Sequence, residues 1–127
     1  MTRKPVVYIA GPMRGHKCFN FPAFDEAQAK LEALGFEVIN PAELDRQAGC
    51  DPMAFDVPDD FHWMSVPASA SHQGGSIRDV FLRDTRAVCS RVDIIYCLKG
   101  WETSTGAVAE VALGRALRLM VMEDLFQ

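Results

Sequence analysis

The stretch Val92 to Glu123, VDIIYCLKGWETSTGAVAEVALGRALRLMVME, decides the fold. Val92 to Leu98 is β-branched and apolar, the composition of a strand covered on both faces. The polar segment KGWETSTG reads as a loop in which Ser104 or Thr105 caps a helix running from about Gly106 to Leu117. LRLMVME then supplies a further strand. Within the helix, Glu110 stands among Ala107, Val108, Ala109, Val111, Ala112 and Leu113. One to two turns inside a helix, its charge is only weakly favoured by the dipole. Three readings stay open: a surface carboxylate paired with Arg115 or Arg118, one bonded to a neighbouring subunit, or one set there to react. Gly106 and Gly114 lie about one turn on either side of it, so this face has little side-chain volume and leaves room for a flat ring or a sugar.

Upstream, Ser76 to Ser90 reads as a helix, with Ser76 as its cap and Val80, Phe81, Val88 and the flanking Arg91 marking its inner side. Asp84 on this helix can reach a ligand edge, although Arg83 and Arg86 favour an ordinary ion pair. Asp93 marks the entrance to the following strand. At the amino terminus, Val6 to Ala10 is a short buried strand ending at GPMRG. Pro22 to Leu34 carries Phe24, Ala27, Leu31 and Leu34 at helical spacing, Gly35 stops it, and Phe36 to Ile39 closes a β-α-β unit. NPAELDRQ makes a short helical turn after Asn40. Residues 48–75, rich in proline and glycine, read as a long loop with a short helix around Asp59 to Met64; a loop of that length is a candidate active-site lid. Alternating strands and helices predict an α/β fold with three layers and a mainly parallel sheet, its ligand site beyond the strands' carboxyl ends, where the loops after Ala10, Ile39 and Leu98 gather.

A chain of 127 residues fits a single domain spanning 1–127. Apolar residues make up 49% and charged residues 24%, an ordinary globular balance. The net charge of -4 speaks against a nucleic-acid polymer as partner and leaves room for a small anionic metabolite. Cys18, Cys50, Cys89 and Cys97 form no CxxC pair, and His16, His62 and His72 show no metal-site pairing, so no metal is expected. The start MTRKPVVYIAG reads directly into a strand, and no segment reaches bilayer-spanning length. The expectation is a cytoplasmic protein with no membrane partner.

Gly11 and Gly15 let backbone N–H groups approach an anion, and Arg14 offers a charged fork to a phosphate. The loop matches neither the Walker lysine motif nor GxGxxG, so ATP and dinucleotide readings lose their usual support. The same stretch also fits a plain turn with a solvated arginine. Tyr8 and Trp101 are either base-stacking or core aromatics. Phe21 fits loop anchoring and Phe24 helix packing.

Taken together, YIAGPMRG, NFPAF, EVINPAE, RDTRAVCSRVDIIYCL and GWETSTGAVAEVALGRAL resemble the nucleoside 2-deoxyribosyltransferase superfamily, especially its small phage and bacterial branch, over most of the chain except Arg46 to Ser76. The resemblance implies a Rossmann-like fold, N-glycosidic bond cleavage without a cofactor, and a homo-oligomer. The substrate is then a deoxynucleotide or nucleoside, and the outcome is hydrolysis of a nucleoside monophosphate or exchange of the base. Glu110 matches the nucleophilic carboxylate and Asp84 the acidic residue that orients substrate or moves a proton. Arg14 and Gly15 resemble a phosphate loop. Ser104 matches a serine of the nucleotide-hydrolase branch, where a hydroxyl can donate to phosphate and a carboxylate would repel it. Tyr8, Gly11, Pro12, Met13, Asn20, Trp101 and Gly106 complete the substrate-binding set that the resemblance implies.

Overall fold

Five consecutive residues with no exposed side, Val6–Ala10, form the first strand, β1, and they show why the fold needs three layers. Successive side chains of a strand point to opposite faces. Val7 and Ile9 pack with Phe21, Phe24, Ala27 and Leu31, whereas Val6, Tyr8 and Ala10 pack with Val88, Val92, Ala107 and Val111. Both faces of the strand are therefore covered by helices.

The computed structural model describes residues 3–13, 20–49, 71–72 and 75–123. In chain order after β1 come α1 (Phe21–Ala33), β2 (Glu37–Ile39), α2 (Pro41–Gln47), the two-residue strands β3 (Ser71–His72) and β4 (Gly75–Ser76), α3 (Ile77–Ser90), β5 (Ile94–Cys97), a 3-10 turn (Trp101–Thr103), α4 (Thr105–Ala116) and β6 (Met120–Glu123). The main sheet has the order β2-β1-β5-β6 with every neighbouring pair parallel. This is a small α/β, Rossmann-like three-layer sandwich, with α1 on one face and α3 and α4 on the other. The chain adds β2 on one side of β1 and β5 on the other. Right-handed crossovers then put the intervening helices on opposite faces and leave a switch point at the carboxyl ends of β1 and β5.

The expected elements form with small shifts of boundary. Asn40 accepts a bond from the Ala42 backbone N–H at 2.9 Å and so starts α2, which extends the expected turn to seven residues. The last strand is shorter than LRLMVME. Arg118 turns left-handed at φ 61° and the Leu119 N–H bonds back to the Gly114 carbonyl at 2.9 Å, so Leu117 to Leu119 close the helix instead of joining the sheet. Arg91, expected to flank the inner side of α3, is exposed and paired with Glu37 at 3.1 Å, because the helix has already ended at Ser90. Within the long loop expected over 48–75, Ser71–His72 and Gly75–Ser76 pair antiparallel; residues 50–70, 73 and 74, including the helix expected at Asp59 to Met64, lie outside the described residues.

The space expected beside Gly114 is filled by packing. A Cβ there would lie 2.2 Å from Cδ1 of Ile95, so the missing side chain lets α4 settle onto β5. Ile95 is itself fully buried and has little room to yield. Gly114→Ala is expected to cost about 1–3 kcal/mol of stability by overpacking, and the added change Ile95→Val should recover part of it; urea unfolding of the single and double variants checks both.

Candidate functional site

Helix α4 buries Ala107, Glu110, Val111 and Gly114, spaced i, i+3, i+4 and i+7, so Glu110 occupies a core-facing position of an ordinary amphipathic stripe. It is 7% exposed, and its Oε2 accepts a 2.6 Å hydrogen bond from the Tyr8 hydroxyl. Its burial and this bond exclude the surface reading, and Arg115 on α4 and Arg118 beyond its end are both exposed. Tyr8 is fully buried, so it is the core aromatic of its two readings and meets the site through its hydroxyl, not a ring face. The strand's alternation places it there: a one-residue slip of β1 would turn that hydroxyl toward α1.

Asp84 arrives from the middle of α3, 7% exposed, with Val88 one turn further along the same buried face. It is ion-paired, as one of its two readings has it, and turned into the interior. Arg83 bonds Asp84 Oδ1 through Nε at 2.9 Å and reaches Asp45 Oδ1 through a terminal nitrogen at 2.7 Å. Asp45, on α2, is 3% exposed. Helices α3 and α4 thus send acidic side chains toward the Tyr8 hydroxyl, and α2 adds a third that shares Arg83.

Burial, and next the neighbouring charge of Asp84, push the Glu110 carboxyl up to about 8; the Tyr8 bond and Arg83 pull against this. Burial likewise raises Asp84 to about 6, opposed chiefly by the charge and hydrogen bond of Arg83. The Tyr8 hydroxyl is held well above its ordinary range by burial and by the two carboxyls. The pair consequently holds a proton near neutral pH, with the greater affinity at Glu110. Two titrating carboxyls with unequal surroundings are the arrangement used for acid–base and nucleophilic work.

Above this cluster the loops after β1 and β5 meet. The Leu98 N–H bonds the Ala10 carbonyl at 2.9 Å, and a Cβ on Gly11 would lie 2.8 Å from that of Leu98, so Gly11 is required for the two loops to touch. Gly100 adopts φ 86°, a left-handed turn, and faces Pro12. Asn20 holds the β1 loop by donating to the Pro12 carbonyl at 2.8 Å, while Met13 packs against the α1-side core. Trp101, half-buried, packs against the opposite core. Gly106, in the first turn of α4, would place a Cβ 3.6 Å from the Phe81 ring, an ordinary contact. Arg14 and Gly15 lie outside the described residues.

Ser104 is the cap of α4, its Oγ accepting from the Ala107 N–H at 3.2 Å. Its own hydroxyl hydrogen remains able to donate. Ser104→Ala is expected to lower stability by about 1 kcal/mol and Ser104→Asp to retain the cap, both read by urea unfolding.

At the opposite edge of the sheet, a hollow of about 400 Å3 is lined by Arg3, Lys4, Val6, Glu37, Ser90 and Arg91. It is a surface of paired charges. Asp93 is clamped there by Arg3 at 2.7 and 2.9 Å and accepts from the Val6 N–H, contacts that lower its pKa to about 2. This fits the expected place of Asp93 at the strand entrance. Among the described residues no group of three or more His, Cys, Asp or Glu is arranged to hold a metal ion, and no helix is long and apolar enough to cross a membrane.

Sequence reading did not single out Asp45 or the bridging role of Arg83. The usable signal was the cap pattern of NPAELD, which sets Asp45 five residues beyond Asn40 on a short helix. The domain model described as "Domain of unknown function (DUF4406)" matches residues 5–123, and no curated protein matches the chain.

Proposed function

The chain belongs to the DUF4406 family, whose description assigns no function, and from its own residues we propose that it cleaves the N-glycosidic bond of a small deoxynucleoside 5'-monophosphate, releasing the free base. The observation that carries this reading is the buried Glu110, bonded to Tyr8 and electrostatically coupled to Asp84 below the loops at the switch point. The motif resemblance supplies the reaction class.

In the proposed reaction the substrate's anomeric carbon lies over Glu110. The bond from that carbon to the base nitrogen breaks, its electron pair leaves with the base, and a Glu110 oxygen bonds to the carbon. Asp84 gives a proton to the base. Water then attacks the glycosyl ester, its proton passing to Asp84, and Glu110 is released as carboxylate. One proton and two carboxyls suffice for both halves. The growing positive charge on the sugar favours the ionised Glu110, moving the proton from Glu110 to Asp84 when it is needed.

Gly11, Gly15, Arg14 and Ser104 hold the phosphate in this reading. Ser104→Asp, which keeps the helix cap, is expected to weaken binding of a deoxynucleoside monophosphate at least about tenfold more than that of the matching deoxynucleoside. Equal weakening, measured by calorimetric titration, removes Ser104 from the phosphate site. The same reading makes the protein a cytoplasmic homo-oligomer that uses no metal or organic cofactor.

A product-resolved screen of deoxynucleoside monophosphates and deoxynucleosides, with and without an acceptor base, tests the reaction. Free base with deoxyribose 5-phosphate supports hydrolysis. Exchanged base makes the protein a deoxyribosyltransferase. Nucleotide binding without base release in any combination makes it a binding module and overturns the catalytic reading.

A further inference from the structure

The cluster contains more charge than the two reacting carboxyls require. From β1 comes the Tyr8 hydroxyl, from α2 Asp45, from α3 Arg83 and Asp84, and from α4 Glu110. Among the described residues one guanidinium thus faces three acidic side chains, each at most 7% exposed. A buried excess of negative charge is relieved by retaining a proton. The bonds decide where that proton goes. Asp84 shares Arg83 with Asp45, while Glu110 is hydrogen-bonded by a neutral hydroxyl.

We infer that Asp45 and Arg83 are positioning residues: by dividing one guanidinium between Asp45 and Asp84, they leave Asp84 a poorer proton holder than Glu110 yet still able to receive its proton. If Asp45 did not draw on the fork, Arg83 would serve Asp84 alone and make it too acidic to receive the proton from Glu110. If Arg83 carried no charge, Asp84 would compete with Glu110 for the resting proton. The use made of the proton rests on the glycosidic reading above, but the division of charge does not. The step itself is balanced, since one O–H bond breaks at Glu110, one forms at Asp84, and a single negative charge moves the other way. Both residues act through Asp84; neither is assigned contact with substrate.

The test is a pH titration of the Asp84 and Glu110 carboxyl carbons by 13C NMR on the unliganded full chain, comparing wild type, Asp45→Asn and Arg83→Lys. Asp45→Asn is close to isosteric and leaves an amide oxygen for the guanidinium. Its expected effect is to lower the Asp84 step by roughly one pH unit and to widen its separation from Glu110. Arg83→Lys keeps the charge but loses the two-way fork, and it should raise the Asp84 step. If Arg83→Lys does not fold, Asp45→Asn alone decides. Carboxyl steps in folded Asp45→Asn within about 0.3 pH unit of wild type overturn the inference.

Because no substrate is present, this readout survives failure of the glycosidase reading. Conversely, an active enzyme with unmoved titration steps sinks the charge-setting role alone. Where base release is found, the acidic limb of its kcat/KM profile should move with the Asp84 step. A residue that only braces the fold would lower the rate without moving that limb.

Discussion

Glu110→Gln is expected to reduce base release by about 10^3-fold or more while leaving nucleotide binding measurable. The amide preserves the size of the side chain and an oxygen for the Tyr8 hydroxyl at the position now 2.6 Å away. In the proposed reaction it removes the negative charge that faces the developing cation and the oxygen that bonds to the anomeric carbon. The proposed phosphate contacts lie elsewhere, so under that reading the loss should fall on kcat. Single-turnover kinetics with a parallel ligand titration separates the two. Turnover within about threefold of wild type in the purified, folded variant removes Glu110 from the nucleophile's role.

The second large effect concerns stability and needs no substrate. Glu110 goes from an ordinary value of 4.5 to about 8 in the folded chain, and Asp84 from 3.8 to about 6. A carboxyl with a raised folded pKa binds its proton more tightly when folded, so its contribution is complete below the unfolded value and is lost as pH rises through the folded one. Stability should therefore fall from about pH 4 to about pH 8 as these two groups ionise. Asp93 acts in the reverse sense. Its depressed value means that its contribution is present above 3.8 and is lost as pH falls through about 2.

Glu110→Gln is expected to flatten the decline toward alkaline pH. At about pH 8 it should make the protein more stable than wild type, by an amount on the order of a few kcal/mol. Urea unfolding across this range measures it. A parallel decline in wild type and variant contradicts the burial of an ionising carboxyl at this position. The expected flattening would show a stability cost carried at Glu110, the usual trade at a reactive group.

The three-layer arrangement was legible because its signals are local. VVYIA and IIYC are continuous apolar runs, α1 repeats apolar residues at helical spacing, and Ser104 stands where a cap must stand. The ends of elements were less legible. LRLMVME has strand composition throughout, but Arg118 is held left-handed by bonds back into α4, and that geometry leaves no mark in a hydropathy pattern. Gly114 shows the same limit. Its missing side chain suggested an opening beside Glu110, and only the position of Ile95 made it a packing contact.

From residue order alone came the alternating strands and helices, the parallel sheet, the carboxyl-end loops and the singling out of Asp84 and Glu110, because backbone periodicity and turn chemistry depend on near neighbours. Tertiary structure alone decided that Tyr8 reaches Glu110 across 102 positions of sequence and Arg83 reaches Asp45 across 38. A carboxyl's proton affinity is set by which groups surround it and how far water is excluded, and both follow from the meeting of α2, α3 and α4 around a single strand.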